Sequence, residues 1–251
     1  MRSRYYPASR ITTSGISMMP RLRHTLSLAR LIELVSTTLV IVVLAAVSAP
    51  AQADANKSQD DSAASEGIEK GWNEFGVWGG MSFHAPTLIG KTPNARFGSL
   101  GLRYGRVLAA SKNVAFEYTV DVVPVAVLSL KRFNVVSVSP GVFSIRETRE
   151  SIYGAGAAPI GLKLNFRRQK RVQPFAAATG GFLYFQEEVP VAGAARFNFT
   201  YDFSGGIQIV NSNRHSFTLG YKYHHISNGY RATFNPGIDV QMIYAGFSIF
   251  K

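Results

Sequence analysis

Arg196–Val210, RFNFTYDFSGGIQIV, is the stretch that decides the fold. Its odd positions are Phe197, Phe199, Tyr201, Phe203, Gly205, Ile207 and Ile209. Its even positions are Asn198, Thr200, Asp202, Ser204, Gly206 and Gln208. Side chains on a strand alternate with a period of two, so one face here is apolar and aromatic while the other, from Asn198 to Gln208, carries nothing apolar. Leu100, Leu102, Tyr104 and Leu108 alternate in the same way with Ser99, Gly101, Arg103 and Gly105, and Ile160, Leu162, Leu164 and Phe166 with Gly161, Lys163 and Asn165. No helical period lasts anywhere beyond Gly71.

Working outward from that stretch, the pattern predicts eight strands, at 73–83, 97–109, 113–129, 151–166, 173–188, 196–210, 215–227 and 238–250. Most reach the roughly 9–11 residues that a tilted membrane strand needs, whereas soluble strands usually run to about five or six. The connections 110–112, 167–172 and 211–214 are short and polar; 84–96, 130–150, 189–195 and 228–237 tend to be longer. Short turns at one end and long loops at the other are the plan of an outer-membrane barrel. A soluble lipocalin-like barrel also alternates, but here the larger side chains lie on the face that would meet lipid. The expected fold is therefore all-β, an eight-stranded antiparallel up-and-down transmembrane β-barrel over residues 72–251, its interior filled by side chains.

The N-terminal part reads as a targeting segment. Arg21, Arg23 and Arg30 precede an apolar run from Leu34 to Val47, and Ala49-Pro50-Ala51 or Ala51-Gln52-Ala53 then offers a cleavage pattern. Residues 1–53 are thus expected to be a signal peptide, with Met18 or Met19 giving a more ordinary start than Met1. The competing reading, a membrane anchor helix, meets a run short of about 20 residues. Residues 54–71 read as a polar, flexible leader. Without residues 1–53 the chain has 21 basic and 14 acidic residues, a balance of +7. The positives are scattered and form no nucleic-acid motif. The absence of cysteine excludes disulfide scaffolds, thiol catalysis and cysteine-based metal sites.

The chemistry gathers in the last strand pair. His225 and Ser227 are two apart and project from one face, and Asp239 returns at the start of the next strand after a loop with Asn228-Gly229 and Asn235-Pro236-Gly237. A hairpin brings Asp239 beside His225, which assembles a nucleophile, its base and a group that orients the base. The shared face also carries Phe217, Leu219, Tyr221 and Tyr223, so the trio would lie on the outer wall of the barrel near one membrane surface. His224 points the other way, and neither it nor His84 or His215 completes a ligand set. No metal and no cofactor is expected.

His225-x-Ser227-Asn228, followed by Asn235 and an acid fourteen residues after the histidine, resembles the lipid A 3-O-deacylases (PagL family) of Gram-negative outer membranes. The resemblance covers mainly residues 215–250. It implies an eight-stranded barrel that removes the 3-linked acyl chain of lipid A, with Ser227 as nucleophile, His225 as general base, Asn228 in the oxyanion hole and Asn235 as a further active-site residue. The family's acid is a glutamate; here it is Asp239, one methylene shorter. The implied partners are lipid A or lipopolysaccharide in the outer leaflet of the bacterial outer membrane, with no nucleic acid. A homodimer through the outward aromatic face is compatible with the pattern. The alternative is a non-enzymatic small barrel with a structural or adhesive role. Lys131, Arg132, Arg146 and Arg149, in the long 130–150 connection, fit either lipopolysaccharide phosphates or a solvated loop.

Overall fold

The structure, a computed structural model, describes residues 67–251. The expected signal peptide and all of the expected leader up to residue 66 lie outside the described residues. Eight strands follow in order: β1 Asn73–His84, β2 Arg96–Ala110, β3 Val114–Ser139, β4 Val142–Phe166, β5 Val172–Val189, β6 Ala195–Val210, β7 His215–Ser227 and β8 Ile238–Phe250. Each pairs antiparallel with the next, and β1 pairs with β8 to close the barrel. Closure leaves no edge in the wall, the condition for a sheet to sit in hydrocarbon, where no water can satisfy a free N–H or C=O.

Alternation sorts the side chains as the sequence predicts. On β6, Asn198, Asp202 and Gln208 are buried inward while Phe199, Phe203 and Ile207 are exposed outward. Phe217, Leu219, Tyr221, Ile243 and Phe247 continue the exposed apolar belt across β7 and β8, and Phe75, Val77, Leu100 and Leu102 carry it over β1 and β2. So broad an apolar exterior belongs in a bilayer. The protein is an outer-membrane β-barrel. Pro124 and Pro159, which cannot donate to a ladder, both fall where the β3 and β4 registers shift.

Inside, the packing is layered. At the turn end Ile68, Trp72, Val107, Ala115, Val210 and Phe250 form a buried apolar cluster. Its first member comes from the stretch expected as leader: within 67–71, Ile68 is fully buried and its amide donates to Arg168 O at 3.3 Å. Above lies a charged layer, in which the Lys163 ammonium sits 2.9 Å from Glu74 and 3.1 Å from Glu117, all three buried, while Arg103 pairs with Asp121 at 2.8 Å. Above that come Asp202, Lys222 and His224, and then a larger apolar cluster that includes Trp78, Phe97, Leu128, Phe185, Ile226 and Met242.

Residues 130–150 correct the expectation of a long loop. β3 and β4 run on as a two-stranded ribbon that turns at Pro140-Gly141, where Gly141 has φ of 78°. Beyond Ser129 the ribbon has no ladder to β2, and β5 pairs with β4 no further out than Gly154. The charged residues that broke the apolar pattern hold it instead: Lys131 pairs with Glu147 at 2.7 Å and Arg132 with Glu150 at 3.3 Å. Phe133, Val135, Phe143 and Ile145 remain exposed on the ribbon. The loop at 190–194 is short as well, so the longer connections at this end are 85–95 and 228–237.

Removing one member of a buried charge set costs about 3–5 kcal/mol because its partners stay buried and unpaired. Lys163→Met, which leaves Glu74 and Glu117 facing each other, is expected to lower the barrel's thermal midpoint, followed by loss of the heat-modifiable compact form on gels. Replacing 133–147 with a tight turn is expected to leave that midpoint unchanged.

Candidate active site

β7 and β8 place His225 and Asp239 directly opposite each other in the ladder, and β6 sets Tyr201 opposite His225. All three belong to the outward face. The His225 Nδ1 and Asp239 Oδ1 atoms are 2.5 Å apart. With Nδ1–H donating to the carboxylate, Nε2 is the nitrogen left to accept a proton. Tyr201 stacks on the imidazole, with centroids 4.7 Å apart and planes at 29°. The ring is thereby fixed from two sides, by a hydrogen bond at one edge and an aromatic plane on one face.

Asp239 is fully buried although it stands on the lipid-facing side of the wall. The cover comes from the β1–β2 loop, whose Ile89 and Gly90 amides donate to Oδ2 at 2.7 and 2.9 Å. One carboxylate oxygen thus serves the histidine and the other takes two backbone donors. The aspartate needs no longer side chain, because its ladder position already brings it to hydrogen-bond distance from the ring.

Ser227 ends β7, two residues beyond His225 and on the same face, with Cα atoms roughly 7 Å apart from strand rise alone. Its hydroxyl donates to Asn235 Oδ1 at 3.1 Å and accepts from the Gly229 amide at 3.2 Å. Asn235 Oδ1 also accepts from the Asn228 amide at 3.1 Å. The hydroxyl is thus held by Asn235 and Gly229 rather than by the His225 ring, and catalytic contacts of this kind commonly tighten only when substrate binds. Asn228 is buried and staples the loop: its Nδ2 donates to Phe234 O at 2.7 Å and its Oδ1 accepts from the Tyr230 amide at 3.0 Å. Beside the serine, the Gly229 amide is a backbone donor that the sequence reading had not considered.

The structure thus brings the five candidate residues into one loop-and-hairpin unit. Tyr201, Ile89 and Gly90 were missed. Tyr201 was visible in principle, since pairing β6 with β7 by their alternation puts it opposite His225; the loop amides have no sequence signature. His224 behaves as its parity dictates. It is buried inside the barrel with Nδ1 bonded to Asp202, which also accepts from Thr179 at 2.6 Å and Lys222 at 3.1 Å. Among the described residues, no group of three or more His, Cys, Asp or Glu side chains could hold a metal ion.

Residues 141–248 match the family model described as Lipid A 3-O-deacylase (PagL). The resemblance to the lipid A 3-O-deacylases holds. The matched stretch contains all five candidate residues and β4 to β7, but not the β1–β2 loop. No curated protein matches the chain. Among solved structures, the outer membrane enzyme PagL is 14% identical with a TM-score of 0.47, covering 69% of this chain and 97% of its own. Neisserial surface protein A is 15% identical (TM-score 0.39; 72% and 97% covered) and the outer membrane protein OprG of Pseudomonas aeruginosa is 11% identical (TM-score 0.38; 73% and 96% covered).

A hydrogen bond to a charged acceptor contributes about 1.5–3 kcal/mol, or roughly 10- to 100-fold in an opening equilibrium. Hydrogen exchange at the Ile89 and Gly90 amides is accordingly expected to quicken by that factor in Asp239→Ala, and by less in Asp239→Asn, which keeps an acceptor.

Proposed function

We propose that the protein is an outer-membrane esterase that removes an ester-linked acyl chain, the 3-O chain by family resemblance, from lipid A. The observation that carries this reading is the His225–Asp239 pair, 2.5 Å apart on the outer wall, with Ser227 on the same face at the end of the strand. A triad on the lumen side would meet solvent or packed side chains. On this side it meets the acyl chains and headgroups of the outer leaflet.

His225 Nε2 takes the proton from Ser227 as its oxygen attacks the ester carbonyl. Asp239 keeps the ring in the tautomer with Nδ1 protonated and steadies the imidazolium that forms. The oxyanion is received by donors beside the serine: the second Nδ2 proton of Asn228, the first being given to Phe234 O, and the Gly229 and Asn228 amides once substrate displaces their bonds to Ser227 and Asn235. The imidazolium returns its proton to the departing sugar oxygen, and water attacks the acyl-serine in a second round to release the fatty acid. Lipid A and the surrounding outer leaflet are the partners this scheme needs.

The test is direct. The barrel is folded into vesicles containing lipid A, and loss of one hydroxyacyl chain is followed by mass spectrometry. Ser227→Ala should abolish the loss, and Asp239→Asn should lower kcat by roughly 10³–10⁴-fold with KM little changed, as expected when the ring loses its orienting carboxylate. Acyl loss that survives Ser227→Ala, or no loss from the parent protein, removes the assignment. The second reading, a non-enzymatic barrel with an adhesive role, draws on the protruding β3–β4 ribbon with its exposed Phe133, Val135, Phe143 and Ile145; it predicts no acyl loss from any variant.

A further inference from the structure

The loop 85–95 is tied to the site by more than its contact with Asp239. Its Lys91 amide donates to Pro236 O at 2.6 Å, and its Thr92 hydroxyl donates to Gly237 O at 2.7 Å. These carbonyls belong to the same β7–β8 loop that carries Asn228 and Asn235. The far end of the loop is gripped by the ribbon: the Arg149 guanidinium donates to Asn94 O at 3.2 and 3.3 Å and to Ser129 O at 3.1 Å.

Gly90 stands at the tightest point. A Cβ there would lie 2.8 Å from the Ile238 amide nitrogen, 2.9 Å from that of Asp239 and 2.9 Å from the Gly237 carbonyl carbon. All three are backbone atoms and none can swing away, so any side chain must push the loop off the hairpin. Gly237 is confined in the same layer. It has φ of 65°, and a Cβ on it would meet Gly90 Cα and His225 Cε1, each at 3.3 Å. Two glycines thus pack backbone against backbone at the edge of the imidazole, and this approach lets the amides of residues 89 and 90 reach the carboxylate.

Taking Ser227–His225–Asp239 as the esterase centre, we propose that the β1–β2 loop is a working part of it and that Gly90 is a positioning residue, acting through Asp239. The short side chain of an aspartate on this wall has two fates. Held by the two amides, it presents Oδ1 to the histidine. Released, it is free to rotate toward headgroup water, and the imidazole loses the partner that fixes its tautomer. The loop amides therefore set whether His225 is oriented to accept the serine proton. A misplacement on the order of 1 Å at such a distance from the reacting atoms can cost about 10²-fold in rate.

The test uses the full chain folded in micelles and in lipid A vesicles, as parent, Gly90→Val, Gly90→Ala and Thr92→Val. Heat-modifiable migration reports the barrel. The downfield proton resonance of the His225–Asp239 hydrogen bond reports the acid's position without any turnover, and acyl release gives kcat and KM. Gly90→Val is expected to keep the compact barrel, lose or shift the downfield proton, and lower kcat by about 10- to 100-fold with KM near that of the parent. Gly90→Ala, whose single Cβ already displaces the loop, should give a loss of the same kind short of that of Gly90→Val, and Thr92→Val, which unties one hydrogen bond to Gly237 O, a smaller one. A folded Gly90→Val with the parent's downfield proton and kcat overturns the proposal; should that variant not fold, the same result in Thr92→Val does so. If the parent releases no acyl chain while its downfield proton still answers to Gly90→Val, the esterase reading fails and the loop remains only the holder of Asp239.

Discussion

A carboxylate on the hydrocarbon side of a membrane wall is the constraint around which this end of the molecule is built. Leaving Asp239 bare on the outward face it shares with Ile243 and Phe247 would cost several kcal/mol, so it must be covered and given donors. Three elements meet that demand. β7 supplies the imidazole, the β1–β2 loop supplies two amides, and β6 supplies the Tyr201 ring that closes over the histidine. The same elements satisfy the charge and aim the base. Burial and orientation are coupled here, because the groups that make the buried acid tolerable also limit how the imidazole can turn.

The inner and outer faces of β7 offer a useful contrast. His224 and His225 are neighbours, each bonded through Nδ1 to an aspartate, yet one lies in the barrel interior and the other on its outer wall. The inner pair is enclosed by Lys222, Thr179 and the stacked ring of Phe97, 4.9 Å from the His224 ring. It has no route to a lipid. The outer pair, itself buried under the β1–β2 loop and Tyr201, shares its face with a serine on the side of the wall turned to the leaflet. Parity along one strand, rather than the identity of the pair, decides which side of the wall each pair serves.

Much of the fold was legible because a membrane barrel is a periodic object. Alternation such as that of Phe197–Ile209 is dictated by two solvents on two faces, and strand length by the thickness of the bilayer. Legibility ended where those constraints end. Above the membrane neither face of β3 or β4 is tied to lipid or lumen, so Lys131-Arg132 and Arg146–Glu150 looked like a loop although cross-strand ion pairs zip them into a ribbon. The site divides similarly. His225, Ser227 and Asp239 were readable because strand parity and one hairpin relate them. The Ile89 and Gly90 amides were not, since any residue has an amide and nothing local to 85–95 announces which carboxylate it will meet.

The layered interior has a consequence of its own. A cylinder with charged groups along its axis resembles a conduit, but here the charged layer lies between apolar clusters around Trp72 and Phe250 at one end and Phe97, Leu128 and Ile226 at the other. The cavity beside His224 and Lys222 measures about 20 Å³, space for about one water molecule. Such packing makes the barrel a filled cylinder, as a wall of eight strands dictates. With the lumen so filled, the outer wall in the plane of the membrane is the surface this molecule offers to a lipid.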